Sequence, residues 1–500
     1  MRVCRQWRFV CQTTPWLWTD VYLRLSCDSG SGSKPGSCFA SMSGRLKQYL
    51  DLSKRASPTS ISSPPTMRLR IDAGSLDSHE RQCKSVNMVL DLLARENERW
   101  SSIDIRSIVG LATGSKTMFN ILEQLMGSIT RPPFKSLQTL KCSMDTQVRK
   151  GGGRASRTAP VVRYYGSMQN FEFPQLMSVR FLDPVTFRQL APSVRSNMFP
   201  WAKIQYLTLS QVSARVILDI LPHIANTVCL LNLLHIRSPV GAEDTRSGLI
   251  KDKHREHLCQ LDIDALAISN RSARPAIVLN KLRTLQLNPP IPIILDSIDC
   301  PQFDTFAITH SSEQPQPAAI KLVLNAMTAT ADFLKLNSSS LHMVNIAIKL
   351  TEKQYETLLE SMANVRTLQV LWPTDFNALI KVLGKTEGGK PRPDPAFLPK
   401  LSCSVVFGYN YPEKNRPCVD ARKVWELMRM RGGQLKNCRF LSIPPNYSGW
   451  DGAEHEREES EREMDRLGLN MRFLDSFSDE EDSSDDESDT SEDKDEQESC

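Results

Sequence analysis

The stretches Ile204–Leu209, IQYLTL, and Val228–Leu233, VCLLNL, share one apolar spacing: aliphatic, two residues, aliphatic, one residue, aliphatic. In an extended strand successive side chains point to opposite faces, so the last two aliphatic residues of each stretch lie on the same face. Val212–Ile224, between the two stretches, carries apolar residues at helical spacing. The sequence therefore predicts a strand, a helix and a second strand, each strand with one buried face.

The same spacing recurs along most of the chain. It is found at Trp18–Leu23, Trp100–Ile105, Leu137–Cys142, Leu176–Phe181, Leu282–Leu287, Phe303–Ile308, Leu341–Ile346, Val365–Val370 and, in degenerate form, Leu435–Phe440. Helix-like segments lie between several copies. Because one such unit cannot bury its apolar face alone, the pattern favours stacked units. Val179, Leu207, Leu231 and Leu285 should then lie on adjacent parallel strands.

This alternation is typical of an α/β leucine-rich-repeat solenoid, with parallel strands on the inner face and helices outside. We place it over residues 26–448. The intervals between copies are irregular, 24 residues from Ile204 to Val228 but 54 from Val228 to Leu282, whereas regular repeats run about 20–29 residues. We therefore predict loop insertions near residues 147–166, 238–253 and 384–395. Generic strand–helix alternation in an α/β domain remains an alternative.

Charge is divided unevenly along the chain. The formal net charge is +5, yet residues 475–500 hold 14 acidic residues and one lysine, so the preceding residues are distinctly basic. This C-terminal segment is too polar to fold alone and is predicted to be a disordered acidic tail. Residues 449–474, with a charged helical pattern from Glu454, are interpreted as a helix or linker.

The cysteines and the apolar runs indicate the cellular compartment of the protein. Thirteen cysteines are scattered without metal-type spacing, which indicates reduced thiols in the cytoplasm, the nucleus or both. The longest apolar runs are too short to cross a bilayer, so no membrane association is expected.

We expect no enzymatic activity, cofactor or metal. The string Gly110–Thr117, GLATGSKT, lies where a phosphate-binding loop could follow a strand, but a serine separates the glycine from the lysine, unlike the P-loop pattern. The histidines are isolated, and no nucleophile-elbow motif is present. Nucleic acid is disfavoured as a partner.

The N-terminal segment Val3–Leu25 carries a further signal. It reads as an amphipathic helix with VCRQWR, then TPWLW, then a strand. This order resembles the last helix and exit of the F-box in the F-box-like leucine-repeat proteins of mushroom-type fungi. The helical segment Ser78–Glu98 running into Trp100 is a second local match. Two earlier family helices are not in the sequence, so residues 1–25 represent either part of a longer protein or an incomplete adaptor-binding element.

The resemblance implies a substrate-recognition subunit of an SCF-type (Skp–cullin–F-box) ubiquitin ligase. A Skp-type adaptor and a cullin would be partners, with an unidentified protein as target. The adaptor-binding residues it implies are Val3, Trp7, Pro15, Leu17 and Trp18, although core packing is the alternative role for both tryptophans. Positions between the repeat leucines would contact the target, namely Arg180, Gln205, Thr208, Asn232 and Gln286. A non-ligase leucine-rich-repeat interaction protein, whose acidic tail binds basic nuclear partners, is the alternative function.

Overall fold

The computed structural model describes a large part of the chain. The main described ranges are 14–25, 35–54, 66–73, 80–107, 134–144, 173–182, 199–210, 214–234, 276–288, 290–309, 317–371, 374–387, 397–401, 404–408, 418–431, 437–441, 454–468 and 470–474. The chain divides into two compact units. One comprises Met1–His342 with Glu360–Met362, and the other comprises Met343–Leu359 with Ala363–Cys500.

In the first unit, nine described strands form a parallel sheet whose spatial order follows the chain. They are β1 (Asp20–Leu25), β2 (Met67–Ala73), β3 (Trp100–Ser107), β4 (Thr139–Met144), β5 (Ser178–Phe181), β6 (Tyr206–Ser210), β7 (Leu230–Leu234), β8 (Thr284–Asn288) and β9 (Thr305–Thr309). Parallel neighbours need a crossover connection between them, which explains why helical or long segments separate the strands in sequence.

The register of these strands follows the apolar spacing. Val179 pairs with Leu207, Leu207 with Leu231, and Leu231 with Leu285 across adjacent parallel strands. All four side chains are almost completely buried. The prediction that these residues occupy adjacent parallel strands is confirmed, and the rows of aliphatic side chains form the core of the sheet's buried face.

Helices of the first unit supply the other half of this core. They are α1 (Pro35–Lys54), α2 (Glu80–Ala94), α3 (Ala214–Ile224), the single turn α4 (Pro292–Leu295) and α5 (Pro317–Leu336). The indole of Trp100, at the start of β3, is fully buried and donates a hydrogen bond to the Leu93 carbonyl of α2 at 3.0 Å. Arg99 donates to the Ser53 carbonyl at the end of α1, also at 3.0 Å. These contacts attach the helices to the buried side of the strands.

The second unit repeats the arrangement with five described strands that pair in parallel as neighbours. They are β10 (Met343–Ala347), β11 (Thr367–Leu371), β12 (Ser404–Gly408), β13 (Asn437–Leu441) and β14 (Asn470–Leu474), accompanied by α6 (Glu352–Glu360), α7 (Phe376–Leu383), α8 (Ala421–Met430) and α9 (Glu454–Arg466). Helix α9 lies within residues 449–474, which the sequence analysis interprets as a helix or linker. Strands β12 and β14 had no counterpart in the repeat pattern.

In each unit, described strands lie beyond the residue range assigned to the repeats. β1 lies within residues 1–25 and pairs with β2, and β14 lies within residues 449–474 and pairs with β13. Residues 475–500 and the predicted insertions 147–166 and 238–253 lie outside the described residues, as does part of 384–395. The chain is thus an α/β protein built from parallel strands and helices in a solenoid-like succession.

Candidate protein-docking face

The sheet of the first unit has a second face, which we call the open face. It consists of the strand side chains that alternate with the buried aliphatic rows. Because the strands are in register, residues from successive strands form straight rows across this face. The middle row is Tyr22, Arg70, Asp104, Lys141, Arg180, Thr208, Asn232, Gln286 and Ala307, from β1 to β9.

Four of the five predicted target-contacting residues stand side by side in this row. Arg180 pairs with Thr208, Thr208 with Asn232, and Asn232 with Gln286. At roughly 4.8 Å between strands, these four side chains span about 14 Å. The structure thus brings together residues that lie up to 106 positions apart in the sequence.

Gln205 lies outside the row. It precedes β6, and its carbonyl oxygen accepts hydrogen bonds from the amides of Cys229 and Leu230 at 2.8 and 3.0 Å. Tyr206 is the residue that faces outward next to Leu207, with 46% of its surface exposed. Strict alternation counted from Leu207 identifies Tyr206 as the outward residue from sequence alone.

The outward side chains of β6–β9 carry no formal charge, and we call them the neutral section. They are Tyr206, Thr208, Ser210, Leu230, Asn232, Leu234, Thr284, Gln286, Asn288, Thr305, Ala307 and Thr309. Asn232 donates weakly to the Thr208 hydroxyl at 3.5 Å. Several members are largely buried by their neighbours. This section offers amides and hydroxyls that can hydrogen-bond to a peptide without selecting its charge.

The outward side chains of β1–β5 are strongly charged, and we call them the cationic end. Their charged members are Arg24, Arg68, Arg70, Arg106, Lys141, Arg180, Asp20, Asp72 and Asp104. Six bases face three carboxylates, which leaves a net charge of +3. None of the bases except Arg180 was identified from the sequence, although the same alternation rule would have placed them outward.

One carboxylate of the cationic end, that of Asp72, is held by two neighbours. The Tyr22 hydroxyl donates to Asp72 Oδ2 at 2.6 Å, and Arg70 Nε lies 3.3 Å from Oδ1. The Arg70 guanidinium also lies 5.1 Å from the centre of the Tyr22 ring, within the range of a cation–π contact. Hydrogen bonding to Asp72 raises the pKa of the Tyr22 hydroxyl above its ordinary value, with burial and the charge of Asp72 acting in the same direction.

A second carboxylate, that of Asp104, balances two cations. Arg106 donates to Asp104 Oδ2 through Nε and Nη2 at 3.0 and 2.9 Å, and Lys141 Nζ lies 3.5 Å from the same oxygen. The hydrogen bond that Arg106 donates to Asp104 raises the pKa of the Arg106 guanidinium. Asp104 Oδ1 is buried and accepts no hydrogen bond from the described residues. Both cations thus share a single oxygen atom.

A depression of about 610 Å³ lies over the first strands of the cationic end. Its polar lining consists of Asp20, Tyr22, Arg68, Arg70, Ser102 and Asp104. Asp20 and Arg68 form a bidentate ion pair there, at 2.5 and 2.6 Å, across the edge of the sheet. The depression is open and lined by both signs of charge, which suits contact with a polypeptide surface better than capture of a small ligand.

Among the predicted adaptor residues, Val3 and Trp7 lie outside the described residues. Pro15, Leu17 and Trp18 belong to a 3-10 turn, Pro15–Trp18, immediately before β1. The Trp18 ring packs edge-to-face on Tyr49 of α1 with the ring centres 4.9 Å apart, whereas 52% of the Leu17 surface is exposed. Trp18 therefore contributes to packing, whereas the exposed side chain of Leu17 is available to a partner.

Within the described residues, no group of three or more histidine, cysteine or acidic side chains could hold a metal ion. None of the described helices is both long enough and apolar enough to pass through a membrane.

Comparisons with known proteins do not name a family. No family model and no curated protein matches the chain. A crystal structure of a protein from Bacteroides fragilis, a structural genomics target, aligns with a TM-score of 0.30 and 9% sequence identity, covering 88% of this chain and 85% of that chain.

Proposed function

We propose that the chain is a non-catalytic protein-recognition subunit with a leucine-rich-repeat domain, acting in an SCF-type ubiquitin ligase. The observation that carries the recognition role is the ordered row of polar side chains across the open face. The ligase role rests on the F-box-like segment Val3–Leu25. Binding target and adaptor on one chain would raise the effective concentration of the target near the ubiquitin-carrying enzyme, without a catalytic residue here.

The open face has the properties of a protein-docking surface. Its backbone belongs to a sheet whose register is held by the buried aliphatic rows, so the outward side chains are presented in a rigid arrangement. Two half-exposed tyrosines, Tyr22 and Tyr206, lie on this face, and Tyr22 pairs across the strands with Arg70. Tyrosine and arginine are enriched among the residues that dominate binding energy at protein interfaces.

The N-terminal turn supports an adaptor contact next to the sheet. Tyr49 donates a hydrogen bond from its hydroxyl to the Asp20 carbonyl at 2.6 Å, and its ring packs against Trp18. The hydrogen bond attaches the start of β1 to α1, and the ring contact attaches the turn Pro15–Trp18 to the same helix. An exposed leucine on a fixed turn can enter an apolar site on a partner at little entropic cost.

Capture of the adaptor and cullin by the full chain tests the ligase role. We expect the wild-type chain to recover a Skp-type adaptor, and Leu17→Asp to weaken that capture about tenfold or more, because a carboxylate would replace a buried leucine at the interface. Leu336→Asp is the matched control, since Leu336 at the end of α5 is 84% exposed. Equal capture by Leu17→Asp and wild type, or no capture by wild type, would contradict the ligase role.

The acidic tail favours a second candidate, a non-ligase protein that binds basic nuclear partners. Fourteen acidic residues within 475–500 could neutralise such a partner. The same capture experiment separates the two, because recovery of histones without adaptor or cullin is expected only from the second.

A further inference from the structure

We infer that the cationic end selects an acidic peptide segment of the target. This inference rests on the proposed role of the open face as a protein-docking surface. Lys141 and Arg180 are the central contacts of the cationic end. The neighbouring neutral section would receive the uncharged part of the same polypeptide.

Incomplete neutralisation of the cations is the first ground for this inference. Arg68 and Arg70 each have a carboxylate partner, but Arg106 and Lys141 share one oxygen of Asp104. Arg180 is exposed and makes no ion pair with any described residue. An arriving carboxylate would therefore find donors that the protein itself leaves unused.

The register supplies a second ground. Lys141 and Arg180 pair directly across β4 and β5. Like charges opposite one another on a sheet repel, and an anion bound between them removes that repulsion. Arginine can also hold a carboxylate through two parallel hydrogen bonds, which a lysine beside it reinforces as a point charge.

Dimensions and sign favour a peptide over nucleic acid. Four strand spacings from β1 to β5 cover roughly 19 Å, the length of about six extended residues. The carboxylates of Asp20, Asp72 and Asp104 are interleaved with the bases, and they would repel the closely spaced phosphates of a nucleic acid. A peptide can place its few acidic side chains opposite the unbalanced cations only.

Fluorescence anisotropy with the full chain provides the test. The probe is a fluorescein-labelled twelve-residue peptide of alternating glutamate and serine, and a peptide with glutamine for glutamate is its control. We expect the glutamate peptide to bind, the glutamine peptide not to bind, and Lys141→Gln/Arg180→Gln to weaken binding about tenfold, from two partly exposed ion pairs. Binding should also weaken with added salt.

A charge-matched control separates a local site from general attraction. Lys335→Gln/Lys353→Gln removes the same net charge from exposed positions on α5 and α6 and should leave binding unchanged. Circular dichroism of each variant verifies folding. Equal weakening by both double variants, no binding of the glutamate peptide, or tighter binding of a single-stranded oligonucleotide of equal length would each overturn the inference.

The outcome is independent of the adaptor experiment. Peptide binding that fails while adaptor capture succeeds overturns the acidic ligand alone. Adaptor capture that fails while peptide binding succeeds overturns the ligase role and leaves the cationic end as a site for acidic segments.

Discussion

The cationic end and the neutral section of the open face have the same backbone arrangement and opposite electrostatic character. Both present the alternate side chains of adjacent parallel strands, and both lie over continuous rows of buried apolar residues. Yet the outward positions of β1–β5 hold nine charged side chains and those of β6–β9 hold none. The scaffold therefore constrains only the buried rows, and the outward positions are free to differ along one sheet.

The buried rows, which both regions share, should determine stability, and the outward side chains, which differ, should determine recognition. Substituting a buried residue should have the same effect in either region, because the environment is the same. Substituting an outward residue should have an effect that depends on the region, because only the cationic end contains coupled charges.

The largest effect should come from the buried rows. We expect Ile103→Ala in β3 and Leu231→Ala in β7 each to lower the free energy of unfolding by about 2–5 kcal/mol, since both side chains are fully buried and truncation leaves a cavity. Urea unfolding followed by circular dichroism measures this. A loss below about 1 kcal/mol in one region only would show that the two regions do not share a common core.

A reciprocal exchange at outward positions should have a smaller effect. Asp104→Asn should lower the free energy of unfolding by about 1–2 kcal/mol at low salt, because Arg106 and Lys141 lose a shared counter-charge. Asn232→Asp in the neutral section should change it by less than about 0.5 kcal/mol, as is usual for surface substitutions. Thermal unfolding at two salt concentrations measures both, and added salt should reduce the loss in Asp104→Asn. Equal losses would remove the distinction between the regions.

The smallest effect is a pH dependence confined to the cationic end. Because the hydrogen bond to Asp72 raises the folded-state pKa of Tyr22 above the ordinary value of 10.0, its contribution to stability is present below pH 10. The contribution disappears as the pH rises through the raised pKa. We expect Tyr22→Phe to cost about 0.5 kcal/mol at neutral pH, a figure kept low because the side chain is mostly exposed, and to cost nothing at high pH.

Tyr206→Phe in the neutral section is the control for this measurement, since its hydroxyl has no hydrogen-bond partner among the described residues. Unfolding midpoints of wild type and both variants should be compared across the alkaline range. A pH-independent difference between wild type and Tyr22→Phe would contradict the role assigned to Asp72.

Much of the strand arrangement could be predicted from the sequence, and the exceptions have a local cause. Strand β12 does not fit the six-residue pattern because Leu401 precedes Val405 by four residues instead of three. The Leu401 amide closes a turn on the carbonyl of Leu398, which has a positive φ of 48°. In β14 the apolar pair Met471 and Phe473 follows a charged helix without a repeat leucine at the expected spacing. An extra residue before a strand leaves the pairing of that strand with its neighbours intact, but it changes the apolar spacing by which the strand is recognised in the sequence.

The candidate site was harder to predict than the strands. Arg180, Thr208, Asn232 and Gln286 were identified because they lie between repeat leucines, but Lys141 and Asp104 were not. The proposed role of Lys141 depends on its neighbours. Its charge is only partly neutralised because Asp104 is already engaged by Arg106, and Arg180 lies beside it on the next strand. Such coupling depends on distances across strands, which no single repeat contains.

The recurring aliphatic spacing alone determined that the chain forms short strands with one buried face, because alternation and burial act within a few residues. The tertiary structure decided which outward residues meet, since parallel strands are paired across intervals of very different length. Leu231 pairs with Leu285 across 54 residues as directly as Leu207 pairs with Leu231 across 24. Pairing and register are long-range properties of the folded sheet, and the charge pattern of the open face follows from them.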